Sequence, residues 1–193
     1  MKYLLIGGAG DTGKSTTIRR IVKGFLQEKG FNIEHLVDNE NIKNKELKEV
    51  EEQDKQYKQN IIGNIDADDN DYFCVAVRNE TKIIKTKIII STASDTEEII
   101  DNFKKYYDKY EDNCSFVIAP IRNENDDKRR IFKEAFKKEI NFEENLKNYI
   151  EIPLAKINNK KKIYDKKEAV AWYLSAVYSL AEHLLQLAPF NIK

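Results

Sequence analysis

Short apolar runs alternate along the chain with longer segments in which apolar residues recur every three or four positions. A short apolar run bounded by polar residues or glycine predicts a buried strand, and the longer spacing predicts an amphipathic helix. The predicted strands span residues 2–6, 31–38, 72–77, 82–92, 114–121 and 149–157. A turn at 78–81 joins the third and fourth runs and predicts a hairpin.

The predicted helices span residues 14–30, 45–60, 96–110, 126–140 and 166–188. Gly30 is placed to end the first of them, because glycine adopts the left-handed conformation of a helix C-terminus without strain. Strands that alternate with helices predict an α/β fold with a mainly parallel sheet flanked by helices. The first strand, helix and strand predict a βαβ unit with a right-handed crossover.

The length of 193 residues predicts a single domain. Formal net charge is zero, so no overall field indicates nucleic acid or acidic lipid as a partner. Cys74 and Cys114 lie in or beside apolar runs with no CxxC spacing, which is typical of reduced thiols in a cytoplasmic protein. No apolar run approaches the length of a membrane span, and the first residues lead directly into a strand, so we expect no membrane association.

Charge is unevenly distributed between two segments of the chain. Residues 39–71 are mostly acidic, and their predicted helix has few apolar positions, so we interpret them as an exposed helix and loop or a partly disordered insertion. Residues 126–167 are basic and end in a lysine-rich run. We interpret that run as a solvated loop, with salt-sensitive contact to DNA as the less favoured alternative.

A glycine-rich stretch, GAGDTGKS at residues 8–15, matches the pattern G-x-x-x-x-G-K-[ST] between a predicted strand and a predicted helix. Average residue usage would give this match by chance on the order of one time in a hundred. In a P-loop of this pattern, backbone N–H groups surround phosphates, the lysine reaches the β- and γ-phosphates, and the hydroxyl binds Mg²⁺. The predicted nucleotide-binding residues are Gly8, Ala9, Gly10, Asp11, Thr12, Gly13, Lys14, Ser15 and Thr16.

Five stretches in order resemble the ParA/MinD class of P-loop ATPases, and together they cover most of the chain. They are GKSTTIRRIVKGFLQEKGFNIEHLVDNEN, TKIIISTASDTEE, CSFVIAPIRNEND, IEIPLAKIN and AVAWYLSAVYSLAEHLL. The resemblance implies a three-layer P-loop NTPase fold and a switch controlled by ATP and Mg²⁺. ATP is favoured over GTP, because no N-K-x-D motif for guanine follows any predicted strand.

The resemblance also implies site residues. Asp38 and Glu40 fall on two acidic positions that the class uses around Mg²⁺ and the attacking water, and with Lys14 they are the candidate catalytic residues. Glu40 stands where the class has Asp, which changes its reach by one methylene. The candidate metal ligands are Ser15, Asp38 and Asp95.

Two residues depart from the pattern of the class. Ala9 stands where the class carries a lysine that reaches across a dimer, so the dimer built around that lysine is not expected. Ser91 stands where the Walker B strand ends in an aspartate that holds Mg²⁺ through water. Asp95 is the candidate replacement for that carboxylate, and its alternative role is to cap the helix that follows.

Three other functions remain open. A degenerate subunit that binds nucleotide without turnover agrees with the absence of an aspartate at Ser91. A Ras-like GTPase agrees with the hairpin but not with the absence of N-K-x-D. A small-molecule kinase would use Arg129 and Arg130 as a phosphate clamp.

The last helix is apolar on more than one face, which predicts core packing together with a surface for a protein partner or a homodimer. Its apolar residues are Trp172, Tyr173, Val177, Leu180, Leu184 and Leu185.

Overall fold

Among the described residues, six strands form one sheet with helices on both of its faces. The computed structural model describes residues 1–44, 47–51, 53–63, 71–81, 85–142, 148–156 and 166–193. The strands are β1 Lys2–Gly8, β2 Asn32–Asp38, β3 Tyr72–Asn79, β4 Lys85–Ser91, β5 Phe116–Ile121 and β6 Tyr149–Leu154. All six runs predicted as strands are therefore confirmed as strands, with bounds that shift by a few residues.

The sheet order is β2-β3-β4-β5-β1-β6. β3 pairs antiparallel with both β2 and β4, whereas β4, β5, β1 and β6 pair parallel to one another. The predicted hairpin and the mainly parallel α/β sheet are confirmed. β2 follows β1 along the chain and runs in the same direction. In the sheet, however, β2 lies four strands away from β1.

A helix overlaps each of the five predicted ones with shifted bounds, and α2 is an additional short helix that the sequence pattern does not predict. α1 continues from its last residue into a π-helical segment, Ile21–Leu26, so the two form one helical stretch. The helices are α1 Lys14–Arg20, α2 Asn39–Lys43, α3 Lys55–Gly63, α4 Glu97–Tyr110, α5 Asp127–Ala135 and α6 Lys166–Gln186.

Alternate residues of β1 point to opposite faces of the sheet, and each face carries its own hydrophobic core. Leu4 and Ile6 belong to a core shared with α1 and α6, and Leu5 belongs to one shared with α4 and α5. This alternation follows from the two-residue period of a strand. Because both faces are covered by helices, β1, β3 and β5 are buried along most of their length, as their short apolar runs predict.

The helix predicted over residues 45–60 is confirmed only in its last part, where α3 begins at Lys55 with mostly exposed residues. Glu49 instead forms an isolated bridge with Val37, and α3 begins only after Asp54, whose carboxylate accepts a hydrogen bond from the Tyr57 N–H at 2.7 Å. Ile42, Ile61 and Ile62 are buried, so the described part of this acidic segment packs onto the fold. A few apolar residues anchor it, although its composition is polar. The run DADDND lies outside the described residues except for Asp71.

α6 packs against the sheet on one side only. Val177 and Leu185 are buried, whereas Trp172 is 75% exposed and Leu180 and Leu187 are each 47% exposed. None of the described helices is long and apolar enough to cross a bilayer. Whether the exposed side of α6 contacts a protein partner or a second copy stays a prediction.

Candidate functional site

The glycine-rich loop connects β1 to α1 through residues with unusual backbone conformations. Gly13 has φ +86° and Asp11 has φ +56°, both in the left-handed region. A Cβ added at Gly13 would lie 2.5 Å from the Leu174 Cδ2 atom of α6. The positive φ favours glycine at position 13, and a Cβ there would also displace the end of the Leu174 side chain.

A cavity of about 650 Å³ opens over this loop, within the range of small-molecule sites. Its walls consist of the loop with the start of α1, two acidic residues from neighbouring strand ends, and the N-terminal half of α6. The lining residues are Asp11, Thr12, Gly13, Lys14, Ser15, Thr16, Arg19, Asp71, Asp95, Ala155, Lys156, Val170, Tyr173 and Leu174. Six of the nine predicted nucleotide-binding residues are thus brought together, and Gly8, Ala9 and Gly10 lie in the loop behind them.

Lys14 is buried in this loop and is only 5% exposed. Its Nζ donates a hydrogen bond to the Ala9 carbonyl at 2.7 Å, and the Thr12 hydroxyl donates to the same carbonyl at 3.0 Å. Burial, together with the positive charge of Arg122, lowers the pKa of Lys14 to about 8. The protein thus keeps a lysine at the cavity in surroundings that disfavour its charge.

Ser15 connects the loop to the ends of β3 and β4. Its hydroxyl donates to the Thr92 carbonyl at 2.7 Å, and the Thr92 hydroxyl donates to the Asp71 carboxylate at 3.0 Å. Arg19, 2% exposed, forms an ion pair with Asp71 at 3.3 Å. Burial raises the pKa of Asp71, and the charge of Arg19 opposes that rise.

Asp71 is the site residue that the sequence interpretation missed, because it stands at the end of an acidic run that was treated as an insertion. It directly precedes the buried run of β3, and β3 is antiparallel to its neighbours. The start of an antiparallel strand lies at the edge where the parallel strands end. The indication in the sequence is that Asp71 stands just before the first strand of a hairpin, a position that lies at the edge where the parallel strands end.

Asp95 lines the cavity and forms an ion pair with Arg122, which follows β5. The alternative role of Asp95 as a helix cap is wrong, because the Thr96 hydroxyl accepts the capping hydrogen bond from the Ile99 N–H at 3.2 Å. An Arg122 Nη1 atom lies 3.1 Å from where a Cβ on Gly10 would be. Arg122 thus brings a second cation to the loop, which the sequence interpretation did not single out.

Asp38 and Glu40 do not line the cavity. Asp38 is buried and caps α2, accepting hydrogen bonds from the Asn41 N–H at 3.0 Å and the Tyr57 hydroxyl at 2.8 Å. Glu40 is exposed. β2 is an edge strand four strands from β1, but Asp38 pairs with Tyr72 of the adjacent β3 and so lies one strand away from Asp71. The catalytic and metal-binding roles of Asp38 and Glu40 stay predictions.

The other residues that the sequence interpretation weighed have structural contacts. The Ser91 hydroxyl is buried and donates to the Ala93 carbonyl at 2.8 Å. Arg129, 4% exposed, forms two hydrogen bonds with the Glu151 carboxylate at 2.9 and 2.8 Å. Arg130 is exposed, and neither arginine lines the cavity. The lysine run considered for DNA contact lies largely outside the described residues.

Within the described part of the chain, no group of three or more His, Cys, Asp or Glu side chains could hold a metal ion. A metal here would need oxygen atoms from a bound ligand and from water, which is the usual coordination of Mg²⁺ at phosphates. The carboxylates of Asp11, Asp71 and Asp95 line the cavity beside the Ser15 hydroxyl and could contribute.

Comparison with known proteins identifies no relative: no family model, curated protein or solved structure matches this chain. Its function must therefore be inferred from the loop, the cavity and the charges around them.

Proposed function

We propose that the chain is a P-loop NTPase that binds ATP with Mg²⁺ in the 650 Å³ cavity and acts as a ParA/MinD-like, nucleotide-dependent switch. The observation that carries this proposal is the position of Lys14, buried at the cavity on a glycine-rich loop between β1 and α1. GTP is the less favoured nucleotide.

The electrostatics of Lys14 support an anionic ligand. A buried ammonium whose pKa is lowered gains free energy when a negative charge comes within contact distance. Its hydrogen-bond acceptor in the protein is the neutral Ala9 carbonyl, and a phosphate offers a stronger, charged acceptor. The buried ammonium of Lys14 and the positive φ values of Asp11 and Gly13 support a phosphate-bearing ligand on this loop.

The residues around Ser15 support a magnesium ion beside the phosphates. Bound Mg²⁺ would neutralise charge on the transferring phosphoryl group. The Ser15 hydroxyl is a ligand of the kind that P-loops use, and Asp71 supplies a carboxylate two hydrogen bonds away through Thr92. Asp71 is the first candidate to replace the carboxylate that position 91 lacks, and Asp95 is the second.

The two arginines at the site have different roles in this proposal. Arg122, paired with Asp95 beside the loop, adds positive charge near Gly10, and such charge would favour an anionic ligand on the loop. Arg19 is buried against Asp71 and orients that carboxylate.

One wall of the cavity suits a nucleotide base. Val170, Tyr173 and Leu174 of α6 form an apolar wall beside the loop, where the Leu174 side chain approaches Gly13. The Tyr173 hydroxyl accepts a hydrogen bond from the Ala155 N–H at 2.7 Å, which fixes the ring. Stacking of a base on an aromatic ring is tolerant of base identity, so this wall supports nucleotide binding without selecting ATP over GTP.

A nucleotide-binding subunit without turnover is the second candidate function. It is favoured by Ser91, which is buried, uncharged and bonded to the Ala93 carbonyl rather than directed at the cavity. The two candidates differ in whether Asp71 and Asp95 can together supply what a Walker B aspartate supplies. A steady-state ATPase assay with Mg²⁺ separates them.

Binding of fluorescently labelled ATP in Mg²⁺ buffer tests the proposal. Lys14→Ala should weaken binding on the order of 100-fold, equivalent to about 2.8 kcal/mol, because the cation at the phosphates is lost. The matched control is Lys138→Ala, which removes an exposed lysine that lines no cavity. Equal affinity for wild type and Lys14→Ala would exclude a P-loop function.

A further inference from the structure

A buried ion pair lies beside the strand that leads into the glycine-rich loop. Arg129 of α5 is 4% exposed, and its guanidinium donates hydrogen bonds to the Glu151 carboxylate of β6 at 2.9 and 2.8 Å. β6 is the neighbour of β1 in the sheet, and a Cβ added at Gly7 would overlap the Glu151 Oε1 atom. The pair therefore packs against the backbone of β1 one residue before the loop begins at Gly8.

The same guanidinium also holds the backbone at the end of β5. The Arg129 Nη1 atom donates to the Arg122 carbonyl at 2.8 Å, and Arg122 is the first residue after β5. The Arg129 Nη2 atom pairs in addition with Glu124 at 2.7 Å. One planar guanidinium thus joins α5, β6 and the segment that follows β5 through bonds in fixed directions. A lysine would not reproduce these contacts, because its ammonium is a point charge without the fork.

The Arg122 side chain extends from that segment to the loop. Its Nη1 atom lies 3.1 Å from where a Cβ on Gly10 would be, and its guanidinium pairs with Asp95. Burial lowers the pKa of Lys14, and the charge of Arg122 lowers it further, so the two cations are close enough to repel each other. An anion bound on the loop would offset this repulsion. The position of Arg122 therefore matters for the affinity of the loop for an anion.

We propose that Arg129 is a positioning residue for the loop: by fixing the backbone of Arg122, it keeps the Arg122 guanidinium beside Gly10, where that charge attracts bound phosphates. The inference rests on the proposed binding of ATP at the loop. Arg129 does not line the loop cavity, so it acts through Arg122 and not on the ligand. Stability alone is a weak reason for such a pair, because the desolvation of two buried charges offsets most of their attraction.

A double-mutant cycle on the full chain tests this role through the affinity for fluorescently labelled ATP in Mg²⁺ buffer. Arg122→Ala should weaken binding about tenfold, because a cation beside the phosphates is lost. Arg129→Lys keeps the charge but loses the fork, and it should weaken binding about fivefold. The double variant should bind no more weakly than Arg122→Ala alone, since Arg129 acts through Arg122. Arg130→Lys is the matched control, because Arg130 is an exposed arginine on the same helix.

The pH profile of ATP affinity gives a second readout, which a purely structural role of Arg129 would leave unchanged. Beyond burial, Arg122 is the charge that lowers the pKa of Lys14. The charges that act in the opposite direction are Asp95, Asp11 and Asp126. Displacing the Arg122 guanidinium should therefore raise the pKa of Lys14. The fall in ATP affinity at alkaline pH should shift to higher pH in Arg129→Lys and in Arg122→Ala.

Urea unfolding shows whether each variant folds. If Arg129→Lys does not fold, Glu151→Gln takes its place in the cycle, because it weakens the same ion pair and leaves Arg129 in the chain. If wild type does not bind ATP, the proposed function and this inference fail together. If ATP binds wild type and either single variant equally well, the inference is overturned while the proposed function stands. The same holds if Arg129→Lys weakens binding as much in the Arg122→Ala background as in wild type, or if its pH profile does not shift.

Discussion

The loop cavity and a cluster of polar residues around β2 and α4 both hold partly buried charges, but they differ in how many hydrogen bonds each charge receives from the protein. In the second region, called here the Glu49 cluster, the Glu49 carboxylate accepts hydrogen bonds from His35 at 3.0 Å and from Lys109 and Tyr110. In the loop cavity, Lys14 donates to one neutral carbonyl.

The pKa values express the difference. Burial raises the pKa of Glu49, but hydrogen bonds from Lys109, Tyr110 and His35 outweigh it and lower the pKa to about 2. Burial and Arg122 lower the pKa of Lys14 to about 8. The protein therefore stabilises the charge on Glu49 and destabilises the charge on Lys14. A charge that the fold satisfies contributes to stability, whereas a charge that it leaves unsatisfied at a cavity is available to a ligand.

The largest expected effect concerns Asp71. Asp71→Asn should reduce Mg²⁺-dependent ATP turnover on the order of 100-fold, about 2.8 kcal/mol, because it removes the carboxylate nearest to Ser15. The matched control is Asp101→Asn, an exposed aspartate on α4. A steady-state ATPase assay measures both. Turnover in Asp71→Asn equal to that of wild type would assign the metal to another carboxylate, of which Asp95 is the first to test.

A substitution in the Glu49 cluster should change the stability of the fold rather than the affinity for ATP. Glu49→Gln should lower the free energy of unfolding by about 1–2 kcal/mol at pH 7, since charge-assisted hydrogen bonds to a partly solvated carboxylate are lost. Affinity for ATP should stay the same. Urea unfolding and labelled-ATP binding measure the two properties.

The same variant has a defined pH dependence. Because the folded pKa of Glu49 lies below its unfolded value of about 4.3, its contribution is complete above that value and is lost as pH falls towards 2. The difference between wild type and Glu49→Gln should therefore shrink between pH 5 and pH 2. A constant difference across that range would contradict the account of this cluster.

A smaller effect is expected from the titration of Lys14. A bound phosphate raises the pKa of the ammonium, so binding takes up a proton wherever the free protein has lost it. Affinity for ATP should be nearly constant between pH 7 and 7.5 and should fall about fivefold between pH 8 and 9. Lys14→Arg should remove this dependence, since arginine stays charged. If the affinity of wild type for ATP does not change with pH up to 9.5, Lys14 does not lose its charge in this range and the prediction is wrong.

The smallest effect is expected at Glu40. Glu40→Gln should change ATP turnover by less than about twofold, because the side chain is exposed and does not line the loop cavity. The ATPase assay used for Asp71→Asn is the measurement. A tenfold loss or more would support the catalytic role that the resemblance to the ParA/MinD class implies.

Local patterns predicted the elements of this fold because a strand or helix depends mainly on residues that are close in sequence. The glycine-rich loop was predicted for the same reason, since Gly13 and Lys14 act through the local backbone. The order of the strands is a non-local property, and the sequence gives no direct indication that β5 separates β1 from β4. The sequence position of Asp38 therefore indicated a site residue, although β2 lies at the far edge of the sheet.

Asp71 also depends on the order of the strands: it is a site residue that its sequence position does not indicate. Its surroundings in sequence are acidic and polar, and only pairing between β3 and β4 brings it to Thr92 and the loop. The same holds for Arg122, whose contact with Asp95 joins residues 27 positions apart. Site residues supplied by different strand ends meet only once the strand order is known.

A structure with ATP and Mg²⁺ bound tests the central claim most directly. The account predicts that the Lys14 ammonium leaves the Ala9 carbonyl and contacts the β- and γ-phosphates, with Mg²⁺ at the Ser15 hydroxyl and Asp71 facing the ion. A triphosphate bound elsewhere, with Lys14 still on the Ala9 carbonyl, would contradict it.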